Sequence, residues 1–315
     1  MKQNGQLFYS VLMIVLVMVL TTGCISFNLG NNAPTPGSDL PTEPANPVET
    51  TEPSLPQVGL TEDTLFNMQY LSPMLQVAVQ LVNGEFSGVV EGVELTAKIR
   101  PEIEFSDLNG DGIDDAALLL SENTGGSGIF VSLIAVYSQG DRFQQAPAVL
   151  IDDRPIIDQV VVENGVVRLT GLIHGPNDPM VNPTTAFSVE YKLFGDRLVQ
   201  TRFESAFGGG DVHAINIESP VDGEEFSGSV QLVGNMPIGP FENNLALTIT
   251  DPAGSVLVQE GFMVQAADMG APATFDNTIT LPAVNAGTEL LVTLSELSMA
   301  DGTPIAVDSV VIKVK

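Results

Sequence analysis

The sequence predicts a mainly β protein in which two β-rich domains follow an N-terminal stretch without a core. Runs of alternating apolar and polar residues recur from residue 59 onward, and turn-forming Asn-Gly and Asp-Gly pairs separate them. Helical periodicity is nearly absent. In residues 213–315, roughly seven short strands lie about 8 to 15 residues apart, which is typical of a two-sheet sandwich. The predicted fold is an antiparallel β-rich domain with little helix, followed by a β-sandwich.

Composition narrows the function classes. The chain has 39 acidic and 11 basic residues and a formal charge of -28, which repels nucleic acid, so no nucleic-acid partner is expected. Hydrophobic residues make up 44% of the chain, enough for packed cores. His174 and His213, the two histidines, have no acid-nucleophile set beside them in sequence, and the usual catalytic motifs are missing. We therefore expect no enzyme activity.

Residues 1–23 have the pattern of a signal peptide. Lys2 precedes a mostly apolar run, Leu7 to Leu20, which is short for a membrane span of roughly 20 residues. Small residues follow, and then comes Cys24, the one cysteine of the sequence, so a disulfide within the chain is excluded.

The segment "LTTGC", which ends at Cys24, resembles the lipobox of bacterial lipoproteins. The usual leucine three places before the cysteine is Thr21 here, and the leucine stands one place earlier. The resemblance implies cleavage before Cys24, a diacylglyceryl group on its sulfur, and a location on the extracytoplasmic face of a cell membrane. Two acyl chains anchor stably because each buried CH₂ contributes about 0.8 kcal/mol. The alternatives are an ordinary signal peptide with a chance cysteine, or an uncleaved anchor.

Residues 24–58 are predicted to be a disordered tether. Prolines recur from Pro34 to Pro56 among Thr, Asn, Gly and Glu, and apolar periodicity is almost absent. Such a segment reaches roughly 100 Å as polyproline helix or about 30 Å as a flexible coil. It would hold the folded part away from the membrane.

Residues 59–207 are predicted to form the first β-rich domain. A short helix is expected to begin at Thr61, which is a good N-cap. Hairpin turns are predicted at Asn83-Gly84, Asn164-Gly165 and Gly195-Asp196. We expect six to eight strands and little helix here, mostly antiparallel sheet.

The stretch "DLNGDGIDDA", residues 107–116, has the spacing of a calcium loop. Positions 1, 3, 5, 7 and 9 offer oxygen atoms, the seventh through its backbone carbonyl, from Asp107, Asn109, Asp111, Ile113 and Asp115. The loop resembles the short calcium loops of dockerins and of β-propeller or integrin-type repeats, which implies one structural Ca²⁺. Position 12 is Leu118 rather than glutamate, so it is not an EF-hand. The alternative is an acidic turn without an ion.

Residues 213–315 carry the most specific pattern of the chain. It opens with "SP..G" from Ser219, continues with "VG" at Val233 and "FE" at Phe241-Glu242, and closes on the strand "VDSVVIKVK". This pattern resembles the immunoglobulin-like domain of bacterial spore-germination proteins, which implies a β-sandwich. We expect Phe241 and Phe275 in its core, and Glu242 as a buried partner of a backbone amide.

Together these features predict a membrane-anchored extracytoplasmic lipoprotein that acts as a non-catalytic binding or structural module of the cell envelope. Its expected partners are the membrane, through the lipid anchor, and an envelope protein or cell-wall component. The alternative is a calcium-dependent extracellular hydrolase or carbohydrate-binding subunit. A hydrolase needs a concave cleft with convergent polar groups.

Overall fold

Strands form almost all the regular structure in the computed structural model, which describes residues 59–315 except 141, 177, 208 and 209. The predicted signal peptide, Cys24 and the tether lie outside the described residues. Within the described part, none of the helices has the length and apolar character needed to cross a bilayer. The prediction of a mainly β, antiparallel fold is confirmed.

The described chain begins with a short helix, α1, at Glu62–Phe66. Thr61 caps it as predicted, because its Oγ1 accepts a hydrogen bond from the Thr64 amide at 3.2 Å. Leu65 is fully buried and fixes the helix to the core beneath. A two-stranded sheet follows, made of β1 (Gln69–Leu71) and β2 (Ala78–Gln80).

A six-stranded sheet comes next, in the order β3-β4-β5-β6-β7, with β8 also paired to β6. Its strands are Glu85–Val90, Val93–Ser106, Asp115–Asn123, Phe130–Gln139, Arg142–Gln145 and Val149–Asp153. The central strands β5 and β6 are buried on both faces, so two separate apolar clusters pack against this sheet. This explains why "AALLL" reads as a continuous apolar run rather than an alternating one.

A nine-stranded sheet has the main order β17-β16-β20-β21-β12-β11-β10-β9, with β14 beside β21. From the first region it takes β9 to β12, which are Ile156–Glu163, Val166–Ile173, Thr185–Phe194 and Arg197–Ser205. The hairpins at Asn164-Gly165 and Gly195-Asp196 form as predicted. The strand count was too low: twelve strands lie between residues 69 and 205, because strands of three to five residues give little alternation.

The C-terminal region contributes the rest of that sheet and a four-stranded sheet of order β13-β15-β19-β18. Its nine strands, β13 to β21, are Asn216–Ser219, Glu225–Phe226, Ser229–Met236, Asn244–Thr250, Val256–Met263, Gln265–Ala266, Ala273–Thr280, Glu289–Leu297 and Pro304–Val314. Residues of both sheets share one apolar core. The predicted seven strands become nine because β14 and β18 have two residues each.

The two phenylalanines predicted in this core differ. Phe275 is 3% exposed and packs edge-to-face on Phe262, with ring centroids 5.5 Å apart, so its prediction is confirmed. Phe241 is 48% exposed and Glu242 is also exposed, so the predictions for both residues are wrong. The reason is local, because both lie in a 3-10 turn, Phe241–Asn243, rather than in a strand.

Strand β21 joins the two regions, because it pairs with β12 through Arg202↔Asp308 and Phe203↔Val307. The Ser205 hydroxyl donates to the Ile305 carbonyl at 2.7 Å, and the Ser309 hydroxyl donates to the Thr201 carbonyl at 2.9 Å. One continuous sheet therefore runs through the sequence boundary at residues 207–213.

The hairpin turn between β11 and β12 also lies against the C-terminal region. A Cβ added to Gly195, at φ 66°, would come within 2.6 Å of the Pro252 carbonyl oxygen. Glycine at this position therefore permits the close approach of the two backbones.

Candidate functional site

A cavity of about 650 Å³ lies between strands β8, β10, β11 and β12 and the loop that joins β20 to β21. Its size falls within the range of about 300 to 1,000 Å³ that is usual for small-molecule sites. Asp301, Thr303 and Pro304 bring the C-terminal region to its wall. The cavity is thus built by both regions of the chain.

Most of the cavity wall is apolar. Apolar side chains from β10, β11 and β12 of the nine-stranded sheet and from β8 of the six-stranded sheet line it: Ile173, Phe187, Val189, Leu198, Phe203 and Ile151. Several of these belong to the cluster that packs between the two large sheets. The cavity is therefore a gap at the edge of a core rather than a polar cleft.

A histidine-carboxylate pair lines the cavity. Asp152 Oδ2 accepts from the His174 backbone amide at 2.6 Å and lies 2.8 Å from His174 Nδ1. Since a carboxylate accepts a hydrogen bond from Nδ1–H, the lone pair of the neutral ring lies on Nε2. His174 Nε2 is shielded from solvent and has no hydrogen-bond partner among the described residues.

Sequence reasoning missed this pair and a second one. His213 Nδ1 lies 2.9 Å from Glu296 Oε2. Neither histidine was expected to have an acid-nucleophile set beside it in sequence, and within the described part of the chain the structure brings one acid, but no nucleophile, to each of them in space. Asp152 and His174 are 22 residues apart in sequence, and Glu296 and His213 are 83 apart. A short sequence motif therefore cannot predict either contact.

The chemistry of the Asp152–His174 pair stops short of a catalytic triad. A triad requires a nucleophile within hydrogen-bond reach of the histidine nitrogen that faces away from the acid. Among the described residues, no hydroxyl or thiol is bonded to His174 Nε2. Ser205 lines the same cavity, but its hydroxyl donates to the Ile305 carbonyl.

The structure brings the predicted calcium-loop residues together in the connection between β4 and β5. Asp107 Oδ1 accepts from the Gly110 amide at 2.7 Å and the Asp111 amide at 3.2 Å, and Oδ2 accepts from the Gly112 amide at 2.8 Å. The side chain at the first loop position thus closes the loop on itself.

Asp115, at the other end of the loop, is fully buried at the start of β5. Its carboxylate accepts from the backbone amides of Leu108, Asn109 and Ser138 at 2.9, 3.2 and 2.8 Å. Burial raises the pKa of Asp115 even though these amides favour its charged form.

Asp111 completes the loop and is exposed. It accepts from the Ile113 amide at 2.8 Å, from the Asn109 side-chain amide at 3.1 Å and from the Ser138 hydroxyl. The Ser138 hydrogen bond lowers the pKa of Asp111 more than any other cause does.

The donor set of the loop is compatible with a hard cation. Asp107, Asp111 and Asp115 each accept three hydrogen bonds, and a carboxylate has about four acceptor sites. Asn109 Oδ1 accepts the Asp111 amide at 2.9 Å. Within the described ranges, however, no cluster of three or more His, Cys, Asp or Glu side chains is arranged to hold a metal ion. A cation would therefore require the carboxylates to turn.

Comparison with known proteins identifies one part of the chain. A search of the curated proteins finds no match to this sequence. A search of the solved structures finds none either. Residues 214–303 match the family model Gmad2, described as the immunoglobulin-like domain of bacterial spore germination. The match spans β13 to β20 and ends one residue before β21. The C-terminal sandwich is an immunoglobulin-like domain of this type, as its sequence pattern predicted.

Proposed function

We propose that this protein is an extracytoplasmic lipoprotein, anchored by a diacylglyceryl group on Cys24, that serves as a non-catalytic binding or structural module of the cell envelope. The observation that carries the proposal is the immunoglobulin-like domain at residues 214–303. In immunoglobulin variable domains, the loops at one end of the sandwich form the binding site, and the proposal extends that use of the architecture to this chain by analogy. The signal-peptide pattern and the cysteine that ends it support the location.

The surface of that domain offers a place for a protein partner. Phe241, Leu297 and Met299 are 48%, 40% and 74% exposed and line a shared groove on the outer side of β16, β17 and β20. Exposed apolar side chains that cluster in this way favour an interaction surface. We therefore place the contact with an envelope protein or cell-wall component at this groove.

Calcium at the loop of residues 107–115 is part of the same proposal, with a structural role. The loop joins two strands of the six-stranded sheet, so a bound ion would fix that connection and neutralise its carboxylates. Asp107, Asn109, Asp111 and Asp115 would supply side-chain oxygens, and Ile113 would supply its carbonyl.

The second candidate function is an extracellular hydrolase. The observation that favours it is the Asp152–His174 pair on the wall of the cavity. The proposal above requires that His174→Ala leave partner binding unchanged, and a hydrolase would lose its activity on that substitution. Turnover of an ester or peptide by the wild-type chain, abolished by His174→Ala, would favour the hydrolase.

Photo-crosslinking of the anchored protein in its native cell tests the proposed role. A photoreactive residue at Met299 lies in the groove, and one at Asp158, an exposed position on β9, serves as the matched control. We expect a recurrent adduct with one envelope component from Met299 and none from Asp158. Equal adduct patterns at both positions, or recovery of the chain outside the membrane fraction, would contradict the proposal.

A further inference from the structure

We propose that the cavity between β8, β10, β11 and β12 binds a neutral, largely apolar small molecule through one hydrogen-bonding group, which Gln200 and Tyr191 recognise. A small-molecule site goes beyond the protein or cell-wall contact proposed above, and it lies in a different part of the molecule from the Phe241 groove.

Gln200 is a polar residue that lies between apolar lining residues on the β12 side of the cavity. Leu198, Gln200 and Phe203 all line the cavity from β12, and the two apolar residues are buried. The register of β12 against β11 shifts beside Gln200, and such irregularities re-aim side chains at binding sites. The Gln200 side chain makes no hydrogen bond within the described residues. Its amide is therefore free to donate to a ligand and accept from it.

Tyr191 lies directly opposite Gln200 in the β11–β12 pairing. Its ring is 5% exposed, and its hydroxyl has no hydrogen-bond partner in the described part of the chain. Tyr70 provides the comparison, because its buried hydroxyl donates to the Leu65 carbonyl at 2.9 Å. The Tyr191 hydroxyl is unpaired and reaches the accessible space of the cavity, so it can donate to a ligand acceptor there.

Charge on the wall selects against anions. The cavity lining contains two carboxylates, Asp152 and Asp301, and no lysine or arginine. An acid bound there would face like charge, and the imidazole on the wall, His174, is already paired with Asp152. A neutral alcohol, ester or amide avoids that cost and still uses the Gln200–Tyr191 pair.

Photoaffinity labelling with two matched probes tests this site in the full chain. The first probe is a medium-chain alcohol that carries a diazirine, and the second is the corresponding carboxylic acid. Mass spectrometry locates each adduct, so partition of the probes into detergent does not obscure the result. We expect the alcohol to label residues 149–152 and 187–203 at least fivefold more than the acid does, and an excess of the alcohol without diazirine to prevent the labelling.

Substitutions on the wall sharpen the test. Tyr191→Phe and Gln200→Leu each remove one hydrogen bond and should lower cavity labelling about fivefold at subsaturating probe. Ile151→Trp, at a half-buried lining position, should abolish it, whereas Val161→Trp, at a half-buried position of β9 away from the cavity, should not. Circular dichroism melts identify any variant that does not fold. Equal labelling by alcohol and acid, labelling spread over the surface, or full labelling of both hydrogen-bond variants would overturn the proposal.

Discussion

At the scale of single residues, Asp308 is the most strongly perturbed carboxyl at the junction of the two regions. It lies on β21, where it accepts from the Ile217 amide at 2.7 Å and faces Arg202 at 3.6 Å. Burial outweighs these contacts and raises the pKa of Asp308 from 3.8 to about 6. The protonated form is therefore favoured in the folded state relative to the unfolded chain.

This pKa predicts how stability changes with pH. The folded state binds the Asp308 proton more tightly, so its contribution is complete below pH 4 and is lost as pH rises toward 6. Between pH 5 and pH 7.5 this group should lower the free energy of unfolding by roughly 1 kcal/mol. In denaturant titrations at the two pH values, Asp308→Asn should remove this part of the change in the free energy of unfolding. Asp158→Asn, at an exposed carboxyl, should keep this change. An equal change of the unfolding free energy with pH in both variants would contradict the role of Asp308.

At the scale of elements, the β4–β5 loop carries a prediction about calcium. Millimolar Ca²⁺ should raise the melting temperature of the wild-type chain and release heat in calorimetry, because the ion binds the folded loop alone. Asp111→Ala should lose both effects. Asp114→Asn should keep them, because Asp114 is an exposed neighbour outside the predicted ligand positions. An unchanged response in Asp111→Ala would show that the ion binds elsewhere. No response in the wild-type chain would contradict calcium binding altogether.

The local elements were largely predictable from sequence, for a physical reason. Thr61, the Asn164-Gly165 turn and the Gly195-Asp196 turn act through neighbouring backbone, so their signals are local. The Asp152–His174 pair and the cavity were missed, because they arise from strands that meet only in the folded sheets. The sequence gives a weak sign of Gln200, because in "LVQTRF" a polar residue stands where the alternation that starts at Leu198 predicts an apolar one.

At the scale of the whole molecule, the shared sheet could not have been predicted. The pairing of β12 with β21 joins residues about a hundred positions apart, and each strand alone has the pattern of an ordinary half-buried strand. The immunoglobulin-like pattern occupies residues 213–315, which favours two separate domains. The backbone hydrogen bonds nevertheless continue through that boundary.

The shared sheet predicts joint unfolding of the two regions. Scanning calorimetry of the chain should show one transition with equal calorimetric and van't Hoff enthalpies, because breaking β12–β21 exposes both edges together. Arg202→Ala and Ser205→Ala remove contacts at the junction, and each should lower the temperature of the single unfolding transition of the chain. Two resolved transitions in the wild type would show that the regions unfold independently.

Mass spectrometry of the mature protein tests whether this molecule acts from a lipid anchor outside the cytoplasm. We expect an N-terminus at Cys24 with a diacylglyceryl group on its sulfur, and a Cys24→Ser variant that leaves the membrane fraction. A free thiol at Cys24, or a mature chain that still carries residues 1–23, would contradict the lipid anchor.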